Sequence, residues 1–189
     1  GGHFYPAVAI ARAHEKSGGK VSFVVSGRHA RDQQHQAQEA GFIALTVEAV
    51  RLARRLDQLA LLPWRMLRAR QYARRQLRAM RPHMVLGMGS FAAVPTCLAA
   101  AAERIPLFLH EGNAVVGKAN RFLCWRARGL ATSLPLADGQ RCRCPHVHTG
   151  MPLRDAIVQE AEKGPAPAEI DERYDLAPDQ PVVLVFGGS

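Results

Sequence analysis

The side chains able to do chemistry fall in a few short stretches of the chain. Leu109-His110-Glu111-Gly112-Asn113 runs on through Gly117-Lys118-Ala119-Asn120-Arg121, placing a histidine, a carboxylate and two carboxamides just after an apolar run. Such a set can move a proton and orient hydroxyl groups. Gly1-Gly2-His3 and Gly87-Met88-Gly89-Ser90 are glycine turns that lead into helical patterns. At such turns a ligand can approach backbone amides, and the helix N-terminus favours negative charge. A third turn, Gly187-Gly188-Ser189, follows the apolar run 182–186. Together they suit a phosphorylated ligand. Cys142-Arg143-Cys144-Pro145-His146-Val147-His148 alternates metal-ligand types. On a strand, however, same-face neighbours stand ~6.5 Å apart, whereas one zinc needs ligand atoms at ~2.0–2.3 Å. The stretch therefore reads as a short strand entering the Gly150 turn, with no metal or other cofactor expected. Cys97 and Cys124 lie in apolar helical runs and read as core thiols.

Alternating helical and strand periods must position these groups. The pattern predicts helices over 6–17, 29–40, 91–103 and 117–127, with one or two more across 51–81 where Pro63 suits a first turn. Strands are expected over 20–26, 42–47, 83–88 and 105–109, and near 129–133 and 145–149. This alternation predicts an α/β, Rossmann-like parallel sheet with helices on both faces, whose ligands bind at the carboxyl ends of the strands. Residues 1–162 are expected to form that domain, its first strand lying ahead of Gly1. Residues 163–180, opening with Lys-Gly-Pro-Ala-Pro-Ala-Glu, read as a linker. Residues 181–189 read as the first strand and glycine turn of a truncated second domain.

At 189 residues with 48% hydrophobic and 22% charged side chains, the chain has a globular composition. Its longest uncharged apolar run, Ala92 to Ala102, is shorter than the ~20 residues a membrane-spanning helix needs. Four cysteines without small-scaffold spacing give no disulfide framework. The charge is localised: segment 51–81 holds ten arginines against Asp57 alone, a net +9 that equals the whole chain's excess. Such a stripe argues for an anionic partner. Leu59-Ala60-Leu61-Leu62-Pro63-Trp64-Arg65-Met66-Leu67-Arg68 mixes large apolar groups with arginine, as a surface lying in lipid headgroups does. The competing reading makes Leu61, Leu62 and Leu67 core.

Gly1-Gly2-His3 with Pro6-Ala7, Val85-Leu86-Gly87-Met88-Gly89-Ser90, His110-Glu111-Gly112-Asn113 with Asn120-Arg121, Gly150-Met151-Pro152-Leu153-Arg154 and Gly187-Gly188-Ser189 resemble, in order and spacing, the MurG family of peptidoglycan N-acetylglucosaminyltransferases, in glycosyltransferase family 28. The resemblance implies the N-terminal domain of a GT-B glycosyltransferase, two Rossmann-like domains facing a cleft. It implies inverting transfer of GlcNAc from UDP-GlcNAc to the muramyl sugar of lipid I, giving lipid II, with the isolated 189 residues inactive. It also implies peripheral attachment to an anionic membrane, at the cytoplasmic face of the bacterial inner membrane. By motif, Gly1, Gly2, Asn113, Arg154 and Ser189 match positions that touch UDP-GlcNAc, while Gly87, Gly89, Ser90, Phe91 and Asn120 match the acceptor–pyrophosphate loop. His3 is the first candidate for general base, since histidine ordinarily titrates near neutrality, and Glu111 is the second. Leu61, Leu62, Trp64, Arg65 and Arg68 match the family's membrane patch. The sequence departs from the family pattern at three places: Gly-Tyr becomes Ser90-Phe91, Gln becomes Gly112, and the Asn before Pro becomes Met151. Another lipid glycosyltransferase of this architecture is the alternative. A dinucleotide oxidoreductase lacks its Gly-x-Gly-x-x-Gly, and a nucleic-acid-binding module lacks interleaved aromatics, so no nucleic-acid partner is expected.

Overall fold

A computed structural model describes residues 3–27, 29–47 and 61–163. The chain divides into two compact units, Gly1–Arg154 and Asp155–Ser189. In order, the first contains α1 (Phe4–Lys16), β1 (Ser22–Val25), α2 (Ala30–Glu39), β2 (Ile43–Thr46) and α3 (Leu62–Met80). It continues with β3 (Val85–Gly87), a 3-10 turn (Phe91–Ala93), α4 (Val94–Ala102), β4 (Leu107–Glu111), α5 (Lys118–Leu123), β5 (Gly129–Thr132) and β6 (His146–His148). The described part of the second unit contains α6 (Asp155–Glu162). The expected linker after 163 and strand 182–186 lie outside the described residues, as do Gly1, Gly2, Ser189 and Arg51, Arg54 and Arg55 of the stripe.

All strand pairs are parallel, as the alternating pattern requires, but they form two separately hydrogen-bonded sheets where one was expected. One holds β1 and β2, and the other runs β3-β4-β5-β6. Among the described residues no strand bridges β1 and β3. Side chains make the connection instead: Val24 of β1 and Val47 pack with Ala69, Leu62 and Met66 of α3 and with Phe91. The period of two explains the layering. Phe23 and Val25 face Phe4 and Ala11 of α1 and Ala30 and Ala37 of α2, while Val24 faces α3. Helices thus cover both faces.

Helix α3 has Pro63 in its first turn, as expected. Ala69, Ala73 and Leu77 recur at helical spacing and form its buried stripe. Ala73 and Leu77 meet Ala99 and Ala100 of α4, small side chains that let the helices pack closely. Arg74 and Arg78 both reach the Glu103 carboxylate, Arg78 Nε at 2.8 Å. Hydrogen bonds from Arg78 and then Arg74 hold its pKa down to about 2. Part of the basic stripe is therefore bound up in joining α3 to the end of α4.

Two local differences bear on the site. The helix expected over 117–127 is regular only through Leu123, after which tight turn bonds take over, Arg126 N donating to Leu123 O at 2.8 Å. The turn after β3 places Gly89 at φ +88° and Ser90 at φ 68°, ψ 145°. That backbone region favours glycine, so a serine at position 90 has a conformational cost. Ser90 recovers part of it by accepting from Ala92 N at 3.4 Å. Ser90→Gly is expected to stabilise the protein by about 1 kcal/mol, read as a higher urea midpoint at unchanged slope.

Candidate functional site

Strand β4 is the centre of the site. It extends through His110 and Glu111, two residues past its expected end. Flanked by β3 and β5, it carries both polar side chains into the interior, each 3% exposed. An unpaired carboxylate there would be costly, and Glu111 is not unpaired. Its Oε1 accepts from Asn113 Nδ2 at 2.9 Å and Asn113 N at 3.2 Å, and its Oε2 from Gly117 N and Asn120 Nδ2, each at 2.9 Å. Burial alone would raise its pKa, but these donors, led by the Gly117 amide, overcome that and hold it below the ordinary carboxylate value. Since Gly117 is the N-cap of α5, Glu111 also fixes where that helix starts. A Cβ at Gly117 would meet Glu111 Oε2 at 3.4 Å.

The groups around Glu111 come from four segments. Asn120 of α5, fully buried, donates to His110 O at 2.9 Å as well as to Glu111. His3 at the start of α1 and Asn120 both border Gly89: a Cβ on that glycine would lie 3.4 Å from His3 Cε1 and 3.6 Å from Asn120 Nδ2. His110 Nε2 shares a hydrogen with Ser133 Oγ at 2.9 Å. Burial lowers the His110 pKa, with nearby His3 adding to the shift and Glu111 opposing it, which favours the neutral imidazole. Among the described residues, three buried side-chain oxygens have no partner: Ser26 Oγ after β1, Asn120 Oδ1, and Thr132 Oγ1 at the end of β5. Native interiors rarely leave such atoms unsatisfied. All three stand where parallel strands end, the rim at which open α/β sheets bind ligands.

The expected residues gather unevenly. His3, Gly89, Glu111, Asn113 and Asn120 come together. Arg154 stacks on Tyr5, 4.8 Å from guanidinium carbon to ring centroid, beside the first turn of α1. Gly87 is buried in β3, where a Cβ would meet Cys97 Sγ at 2.8 Å and Leu109 Cδ2 at 3.0 Å, so close packing by itself requires glycine. Phe91 packs partly buried against the Val47–Ala69 cluster. Asn113 is exposed, but its amide nitrogen is committed to Glu111. Sequence reasoning placed His110 in the proton-moving set but did not single it out, and overlooked Ser26, Thr132 and Ser133. Their one signal is position, since each lies at or just beyond the carboxyl end of a strand.

The cysteines depart from expectation. Cys142 and Cys144 precede β6 and do not share its pleat. Cys124 is buried yet is not an isolated core thiol, because Cys142 Sγ lies 2.7 Å from its sulfur. His146 and His148 are exposed on β6. Cys97 does behave as a core thiol, with burial pushing its pKa up to about 12.

A parallel α/β layer whose polar groups collect at the carboxyl rim defines a Rossmann-like ligand-binding domain. Residues 1–132 match the glycosyltransferase family 28 N-terminal domain, and the chain belongs to that family. It is 35% identical over 194 residues to a Methylobacterium radiotolerans protein named UDP-N-acetylglucosamine–N-acetylmuramyl-(pentapeptide) pyrophosphoryl-undecaprenol N-acetylglucosamine transferase. A Verminephrobacter eiseniae protein of the same name is 38% identical over 192 residues. Each match covers 100% of this chain but only 49% and 50% of the relative, so the chain spans about half their length. Among solved structures, Acinetobacter baumannii MurG superposes with a TM-score of 0.66 at 25% identity, over 82% of this chain and 43% of that one. A Neisseria meningitidis UDP-GlcNAc 2-epimerase bound to UDP-GlcNAc shares the fold, with a TM-score of 0.57 at 14% identity over 94% of this chain and 52% of that one.

The depressed pKa of Glu111 links the site to acid stability. A carboxyl whose folded pKa lies below its unfolded one stabilises the fold above the unfolded value. That contribution is lost as pH falls through the folded value. Glu111→Gln, which sets an amide donor against the donors of Gly117 and Asn120, should cost about 1–3 kcal/mol at neutral pH. The gap between parent and variant should narrow at an acid pH below the ordinary carboxylate range. Urea unfolding at the two pH values measures both effects.

Proposed function

We propose that this domain is the acceptor-binding half of an inverting N-acetylglucosaminyltransferase. The acceptor is a muramyl sugar on a polyprenyl pyrophosphate (lipid I), the product is lipid II, and UDP-GlcNAc is the donor. The observation that carries this reading is the gathering of His3, Gly89, Asn120 and Glu111 at one strand-end rim, together with family membership. In the reaction the acceptor hydroxyl attacks C1 of GlcNAc, the C1–oxygen bond to UDP breaks, and the hydroxyl proton needs a base. His3, exposed at the rim, takes that proton. Glu111, held ionised by four donors, positions Asn120 and the start of α5 and is poorly placed to accept a fifth hydrogen. Asn120 Oδ1, buried without a partner, is an acceptor for a sugar hydroxyl. Charge developing on the departing diphosphate falls to glycine-turn amides and helix N-termini. Asn113 and Arg154 contribute to the donor side in this reading, as do Gly1, Gly2 and Ser189.

Membrane attachment through the start of α3 is part of the proposal. No described helix is long and apolar enough to cross a membrane. Leu61, Trp64 and Leu67 are 50%, 55% and 48% exposed, so the core alternative fails for both leucines. Leu62 alone is partly buried against the Val47–Ala69 cluster. Arg68 lies over the Trp64 ring at 4.7 Å, and Arg65 is exposed beside it. An aromatic and aliphatic surface fringed with arginine fits an anionic headgroup layer.

In a polypeptide of full family length carrying this domain, His3→Ala should lower kcat on a lipid-linked muramyl acceptor by about 10²–10⁴-fold. Binding of UDP-GlcNAc should change much less. Unchanged kcat removes His3 as base, and transfer to a different lipid sugar in preference to the muramyl acceptor favours the alternative lipid glycosyltransferase. Separately, Trp64→Ala with Arg65→Gln and Arg68→Gln should weaken co-sedimentation with anionic vesicles roughly 30-fold or more, at about 1 kcal/mol per lost arginine. Retention on DNA but not on vesicles would instead identify the stripe as a nucleic-acid surface.

A further inference from the structure

Three of the chain's four cysteines converge. Cys124 follows the last regular residue of α5, while Cys142 and Cys144 lie in the connection from β5 to β6. Cys142 Sγ is 2.7 Å from Cys124 Sγ and 3.3 Å from Cys144 Sγ, and all three sulfurs lie within 4.8 Å of one another. Cys124 and Cys144 are buried against Leu107, Leu109, Leu123 and Leu130, and Cys142 is half-buried. Packing alone does not require sulfur to meet sulfur, since a free cysteine serves the core as a small hydrophobe. Nor is the 2.7 Å separation a disulfide, which needs about 2.05 Å.

We propose that Cys124, Cys142 and Cys144 form a three-thiolate site for a thiophilic metal ion of the zinc class. Sulfur ligands at ~2.3 Å from a tetrahedral ion stand ~3.8 Å from one another, and the separations here, from 2.7 Å to no more than 4.8 Å, bracket that value. The donor set is sulfur only, which selects zinc or monovalent copper over magnesium or calcium. The objection that an extended strand cannot wrap one ion does not apply. Cys142 and Cys144 stand before β6, and the third thiol comes from a different segment. On binding, three thiols become three thiolates and release three protons to solvent. A divalent ion with three thiolates carries one net negative charge. Arg141 and Arg143, exposed and adjacent in sequence, are placed to offset it.

Such an ion would brace the wall of the strand-end rim. The same connection supplies Gln140, whose Oε1 accepts from Val116 N at 3.3 Å in the loop joining Glu111 to α5. Cys124 N in turn donates to Asn120 O at 2.8 Å. The ion would therefore tie the end of α5, which carries Asn120, to the β5–β6 connection.

The test titrates the reduced, chelator-stripped protein with Co2+, then displaces it with Zn2+ against a chromophoric chelator. One ion per chain is expected, with a thiolate-to-cobalt charge-transfer band that Zn2+ abolishes. Loss of a second-shell group already costs about 10–100-fold in metal affinity, so Cys142→Ser and, separately, Cys144→Ser should bind roughly 100-fold more weakly. Cys97→Ala should bind like the parent. Circular dichroism of the metal-free proteins establishes that each variant is folded. Absence of the charge-transfer band from the reduced parent overturns the proposal, as does Co2+ affinity unchanged in both folded serine variants. A protein isolated with a Cys124–Cys142 disulfide that fails to bind Co2+ after reduction also overturns it and leaves a redox pair in its place.

Discussion

The arrangement of the site depends on one buried carboxylate. Glu111 sits at the end of the central strand of the four-stranded sheet, where water cannot solvate it and where ionisation would ordinarily be penalised. It stays ionised because four N–H donors converge on it from Asn113, Gly117 and Asn120. The dependence runs both ways. Without the carboxylate, the loop 112–117 has no common acceptor and α5 loses the group that meets its N-cap. Asn120 would then keep only the His110 carbonyl as partner. The penalty of burying one charge is thereby converted into a fixed geometry for a loop whose one fully buried apolar side chain is Val116.

That fixed geometry explains why acceptor atoms can be left open nearby. Asn120 directs its nitrogen inward, to Glu111 and the strand, and this leaves its oxygen buried and unpaired at the rim. Thr132, in register with Glu111 across β4 and β5, leaves its hydroxyl in the same condition. Unsatisfied buried oxygens cost stability, and here a ligand or an ordered water at the rim can supply the missing donors. Ser90 belongs to the same pattern. The turn that brings Gly89 against His3 and Asn120 needs two successive residues at positive φ, and here a serine occupies the second. Local strain and open polar atoms coincide around the rim, where binding energy can offset both.

Much of this was legible in the sequence. The alternating periods located every described strand and helix of the first unit to within a few residues, and of the three glycine turns the one described in full, Gly87–Ser90, follows β3 as expected. The end of β4 was not legible. His110 and Glu111 are polar, and a pattern that reads polar residues as loop stops two residues too soon. Pairing with Ala131 and Thr132 of β5 keeps them in register. The division into two sheets was also hidden, because periodicity reports which residues form strands and not which strands bond. The cysteine cluster escaped for a third reason: Cys124 is separated from Cys142 and Cys144 by the β5 strand and a long connection, a contact no spacing rule anticipates.

The basic stripe shows how one helix serves two surfaces. Along α3 the residues at positions 69, 73 and 77 are small or aliphatic and turn inward. The arginines on the remaining faces divide by position along the axis. In the last turns, Arg74 and Arg78 close on Glu103 and so join α3 to the helix that follows the Gly89–Ser90 turn. In the first turns, Arg65 and Arg68 accompany Leu61, Trp64 and Leu67, which have no core to enter. An exposed tryptophan and two half-exposed leucines would be a liability on a surface facing only water. They sit among arginines at the end of a helix whose other end is clamped to α4. Under the proposed function the acceptor is lipid-borne, its reactive hydroxyl would lie at a fixed height above the headgroups, and the clamp at Glu103 would then serve acceptor delivery by holding the patch in place.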